Sequence, residues 1–139
     1  MTTELRDSPA GRMGFQPGQV VQEIGHGEDS DQELREAIEQ VTGKALVGDD
    51  YDDVAGAVIL WFRDYDGDLT DALLGAMASI DRDGSLVLLT PKTGCDGYVE
   101  PSDIAEAART AGLSQAKSMH AGRGWIGSRL ITPKGEEQR

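Results

Sequence analysis

The sequence predicts a three-layer α/β sandwich on a mostly parallel sheet of about six strands, with an antiparallel hairpin at its C-terminal side. Three observations carry this. Apolar runs of strand length alternate with amphipathic helical stretches. Two of the runs, AGAVILWF (55–62) and SLVLLT (85–90), are apolar without alternation, as strands covered on both faces are. The last two runs, QAKSMH (115–120) and SRLITP (128–133), flank AGRGWIG, whose glycines suit a turn between paired strands.

The elements follow in order. Residues 1–13 are polar and irregular and read as a mobile arm, 14–134 as one domain, and 135–139 as a flexible tail. Pro17-Gly18 makes a turn, and QVVQEI is the first strand. SDQELREAIEQVTG (30–43) is the clearest helix: Ser30 with Glu33 forms a capping box, and Leu34, Ala37, Ile38 and Val41 form one apolar stripe. Gly43 is placed to end it. KALV (44–47) is a short strand, and GDDYDD (48–53) is an acidic loop. The second helix, DLTDALLGAMASI (68–80), is capped by Asp68 and turns inward Leu69, Leu73, Ala76, Met77 and Ile80. DRDG (81–84) is a turn. The third helix, EPSDIAEAARTAGL (100–113), takes Ser102 as cap and Gly112 as stop. The link from KALV to AGAVILWF is short for a parallel crossover, which needs about a dozen residues or more. Either DDYDDVAG makes one compact helical turn or KALV pairs differently.

Charge excludes several functions. The net charge is −12, and residues 109–139 alone are basic, so the rest of the chain is more acidic still. Such a field repels DNA, RNA and anionic lipid. No apolar run approaches the roughly 20 residues that cross a bilayer, and the single cysteine, Cys95, forbids an internal disulfide; both fit a cytoplasmic protein.

In an open α/β sheet, ligands sit beyond the carboxyl ends of the strands. The exit loops GHGED, GDDYDD, RDYDGD and TPKTGCDGY would share that rim. Glu28, Asp29, Asp49, Asp50, Asp52, Asp53, Asp64, Asp66, Asp68 and Asp96 crowd it, with Arg63 and Lys92 as the nearby cations. Two carboxylates in the glycine loop and no following Gly-Lys-Ser/Thr argue against bound phosphate. DYDGD lacks the glycine and glutamate positions of an EF-hand; DRDG, counted from Ser79, has Gly84 at position six but Thr90 at twelve, and both read as turns. His26 and His120 have no metal-ligand spacing, so no metal site is expected. His26, inside the glycine loop, is either an acid–base group or a surface histidine in a turn. Asp96 beside Cys95 disfavours a thiolate nucleophile, and no catalytic residues emerge. Trp125, near Arg123, is either a contact-surface anchor or a cover for the sheet edge.

VVQEIGHGED (20–29), with a strand, an acid, Gly-x-Gly, a helix and an acid about twenty residues on, resembles the first Rossmann-like unit of S-adenosylmethionine-dependent methyltransferases. The resemblance implies cofactor contacts from Glu23, Gly25 and Gly27, with Asp49 or Asp50 on the ribose; Asp29 stands where that family often has a third glycine. ALLGAMASIDRDGSLVLLTPK resembles the later helix, turn and strand. The further helix and strand of a complete methyltransferase are replaced by GDDYDDVAG, which removes the wall for the adenine. GFQPGQVVQEIG, DDYDDV, LLTPK and VEPSDIAEAARTAGL together resemble a family of small acidic actinobacterial proteins, a domain of unknown function. These readings favour a worn cofactor loop in a non-catalytic binding or regulatory protein without cofactor. Its acidic rim (Asp49, Asp52, Asp53, Asp64, Asp66), with Trp125, would engage a basic partner protein. The alternatives are a minimal methyltransferase binding S-adenosylmethionine, and a structural homodimer built on Trp125 and the last hairpin.

Overall fold

The structure is a computed structural model that describes residues 11 and 13–131 except 49, 52, 79 and 122, with the backbone alone at 81–83 and 117. Asp49, Asp52, most of the expected arm and the whole tail 135–139 lie outside the described residues. Met13 belongs to the packed domain, being 2% exposed.

Strands β1 (Val21–Ile24), β2 (Ala55–Trp61), β3 (Ile80–Pro91), β4 (Ser114–His120) and β5 (Trp125–Ile131) form one sheet in the order β1-β2-β3-β5-β4. β1, β2 and β3 are parallel neighbours; β5 pairs antiparallel with both β3 and β4. The expected KALV strand is reduced to one parallel bridge, Val47 to Gln22, on the outer side of β1. It pairs as a sixth strand without the length of one, and residues 48–54 make the short link from it past β1 to β2.

Helix α1 (Gln32–Thr42) covers one face of the sheet, and α2 (Leu69–Met77) and α3 (Pro101–Thr110) cover the other. The alternation of β2 divides the core between the faces. Ala57, Ile59 and Trp61 pack with Leu34 and Ile38 of α1, and with Met13 and Phe15. Val58, Leu60 and Phe62 pack with Leu73 of α2 and Ile104 and Ala107 of α3. This is the three-layer Rossmann-like sandwich the apolar runs predict.

Three local expectations are corrected. Asp31, one residue after Ser30, caps α1: its Oδ1 accepts from Leu34 N–H at 3.0 Å, while Ser30 Oγ accepts from Gly27 N–H at 2.9 Å. Helix α3 starts at Pro101 with Glu100 as its cap position, so Ser102 is inside it; proline's fixed φ suits the first turn. DRDG extends β3 instead of turning, and the pairing shifts from Ala55↔Ile80 to Ala57↔Ser85, which accommodates the extra length as an irregularity. The cap at Asp68 and the left-handed stop at Gly43 (φ 78°) are as the sequence implies. Among the described residues, no helix is long and apolar enough to cross a membrane.

Candidate functional site

The carboxyl ends of β1, β2 and β3 meet the glycine loop, the 3-10 turn Asp64–Asp66 and the loop after Pro91. Gly25 leaves β1 at φ 81°, and a Cβ there would lie 2.4 Å from the Trp61 carbonyl oxygen. Only glycine combines that dihedral with that approach. The backbone of the loop is therefore pressed against the end of β2.

Glu23, on β1, is buried at 7% exposure and fully engaged. Arg35 of α1 grips it with two bonds, Nε to Oε2 at 2.7 Å and Nη2 to Oε1 at 2.9 Å. Trp61 Nε1–H donates to the same Oε2 at 2.8 Å. A carboxylate can be buried here because a forked guanidinium and an indole meet it from two sides. The bonds to Glu23 raise the Arg35 pKa further above its ordinary value, and they lock α1 onto the sheet.

Arg63 is the centre of the rim. It is only 6% exposed, and its guanidinium lies against the glycine loop. Nη1 donates to the Gly25 carbonyl at 2.8 Å and to the Trp61 carbonyl at 3.3 Å. Nε and Nη2 form a fork on the Asp29 carboxylate, the former at 3.1 Å. Asp66 completes the set, with Nη1 3.4 Å from its Oδ2. A Cβ on Gly27 would lie 2.9 Å from Nη2, so the second glycine makes room for the guanidinium. Hydrogen bonding to Arg63 holds the Asp29 carboxyl below its ordinary pKa, and the same bonds raise Arg63. Trp125 covers the arrangement. Its ring centroid is 5.3 Å from the Arg63 guanidinium carbon, its Nε1–H donates to the Asp29 carbonyl at 3.1 Å, and it stands edge-on to Trp61 at 4.8 Å.

These placements bear on the residues singled out by sequence. Glu23 lies near the carboxyl end of β1, and Gly25 and Gly27 lie in the loop that follows it. Asp50 and Asp53 are exposed in the loop before β2. Asp64 is exposed on the 3-10 turn, and Asp66 beside it is drawn to Arg63. Trp125 is 4% exposed and opens β5, so of its two readings the structure has the cover; the rim's exposed aromatic is Tyr65, at 67%. His26 and Cys95 are exposed. No group of three or more His, Cys, Asp or Glu side chains among the described residues could hold a metal ion. Sequence reading counted Arg63 as a cation of the rim without giving it this position. The available signal was an arginine directly following a buried Trp-Phe strand end among acids. Arg35 was missed too, although a carboxylate inside a buried strand requires a cation and α1 has one.

The family model described as "Protein of unknown function (DUF3052)" matches residues 10–134. An uncharacterised protein of Mycobacterium bovis and one of Mycobacterium tuberculosis are each 46% identical to this chain over 125 residues, covering 90% of it and 78% of the relative. Among solved structures, the mitomycin 7-O-methyltransferase superposes with a TM-score of 0.60 at 12% identity over 94% of this chain. This chain spans 54% of that enzyme, about half. A TehB-like S-adenosylmethionine-dependent methyltransferase from Corynebacterium glutamicum superposes with a TM-score of 0.54 at 14% identity, covering 91% of this chain and 88% of the other. Likeness at such identities is likeness of fold.

Proposed function

The chain belongs to that family of unknown function, and we propose that it is a non-catalytic binding or regulatory protein, a methyltransferase-fold domain whose acidic rim engages a basic partner protein. One observation carries the reading. The crevice at the glycine loop is filled by the chain's own Arg63, which bonds Gly25, Trp61, Asp29 and Asp66 at once. The acid of the loop motif, Glu23, has both oxygens committed to Arg35 and Trp61.

The residues present do not fit an S-adenosyl group as arranged. A ligand at the loop would have to displace Arg63 from two carbonyls and two carboxylates, leaving those acceptors to find new partners. The shortened connection between Val47 and β2 offers little chain from which to build a wall for a purine. Exposed on this rim are the Asp64 carboxylate and the Tyr65 ring, beside His26, Glu28, Lys92, Cys95 and Asp96, while Asp53, two residues before β2 begins, lies toward that strand's amino end. Such a surface suits a cationic protein surface through charge complementarity.

The test is a calorimetric titration of the purified protein with S-adenosylhomocysteine, which cannot react. The reading predicts no heat of binding up to millimolar ligand. Micromolar binding that is lost in Gly25→Arg would overturn it in favour of a minimal methyltransferase.

A further inference from the structure

A cleft of about 360 Å³ runs between the start of α2 and α3, beside the exit of β2. Its floor is apolar: Phe62, Val99 and Ala107, each at most 6% exposed, with Leu69 beside them. Its walls bear four carboxylates, Asp64 and Asp68 on one side, Asp103 and Glu106 on the other. No lysine or arginine lines it, and among the described residues no ion pair reaches any of the four.

We infer that this groove is the docking site for a basic, amphipathic segment of a partner protein, with an apolar side chain on the floor and lysines or arginines between the walls. The inference rests on the binding-protein reading above and gives it a place and a partner chemistry. Two features choose the occupant. The apolar floor gives no partner to a hydrated small cation, and the carboxylates lack the convergence to hold a metal ion. A second copy of the chain carries a net charge of −12 and meets these walls with like charge. A cationic segment with an apolar anchor satisfies both parts of the groove, the anchor supplying affinity and the charges supplying steering and register.

The probe is a fluorescently labelled peptide of alternating lysine and leucine, titrated by anisotropy and followed by amide NMR on the full chain. Peptide-induced shifts are expected at Thr70, Asp103, Glu106 and Thr110. Asp103→Lys with Glu106→Lys should weaken binding about tenfold or more, while the same charge change on the opposite face, Glu33→Lys with Glu36→Lys, should change it by less than about twofold. Thr110→Trp, which adds bulk at the groove edge without charge, should weaken it as the charge reversals do. Circular dichroism of each variant checks that the fold survives. Equal losses from the two charge pairs, no effect of Thr110→Trp, or equal displacement by spermidine at matched charge would each overturn the groove. None of these outcomes bears on the homocysteine titration, so the two readings fail separately.

Discussion

Two carboxylates a few residues apart in the same stretch are held in different ways. Glu23 is buried and receives three hydrogen bonds from Arg35 and Trp61; Asp29 keeps half its side-chain surface, at 49%, and forks onto the buried Arg63. Removing a partner of the first leaves a charge in the core. Arg35→Ala should therefore cost about 2–3 kcal/mol in a urea melt, far more than a surface ion pair would. The second carboxylate titrates within reach. Its folded pKa lies below the ordinary value of 3.8, so the stabilisation is complete above that value and is lost as pH falls through the folded pKa. Asp29→Asn should flatten the acid limb of the stability profile below about pH 4 while leaving its neutral shape unchanged. Gly25→Ala meets both a left-handed φ and a 2.4 Å approach to Trp61 O, and should lose about 1–3 kcal/mol by the same melt. Trp61, Glu23 and Gly25 were visible in the sequence as a strand end, an acid and a turn. Their joint arrangement was not, because it depends on Arg63 and Arg35 arriving from other elements.

The helices show why local signals settle element type better than element ends. Leu34 and Ile38 of α1 face the core as their spacing requires. The cap moved by one residue because Asp31 also serves the hairpin: its Oδ1 accepts from Leu34 N–H at 3.0 Å and its Oδ2 from Arg123 N–H at 2.7 Å. Nothing near Asp31 in sequence announces that second contact. The Asp68 side chain, by contrast, accepts only from Asp71 N–H among the described residues, at 3.1 Å. Asp68→Ala should cost about 1 kcal/mol, the usual loss of a cap, and Asp31→Ala more, since it also frees the turn before β5. Thermal melts of the two variants compare them directly. DRDG was misread for a related reason. These residues favour a bend locally, but they lie within β3, between the pairs Ala55↔Ile80 and Ala57↔Ser85, where the register with β2 shifts.

At the scale of the whole molecule, the layers and the C-terminal hairpin were legible because continuous apolar strands and striped helices leave few ways to bury both, whereas the pairing of KALV was not. The crevice was legible only as a place, since the side chain that fills it enters from the end of β2. The sandwich thus keeps the architecture of its methyltransferase neighbours while Arg63, Asp29 and Trp125 take up the space at the glycine loop. The net charge of −12 adds a long-range attraction for cations. Binding of the lysine–leucine peptide should accordingly weaken steeply with added salt, measured as the slope of log Kd against log salt. The central claim is that Arg63 occupies the crevice, and the most direct measurement is ¹⁵N NMR of the Arg63 Nε–H during a titration with S-adenosylhomocysteine. The account predicts a signal protected from solvent exchange that does not move at millimolar ligand. A saturable shift, or loss of that protection at micromolar ligand, would contradict it.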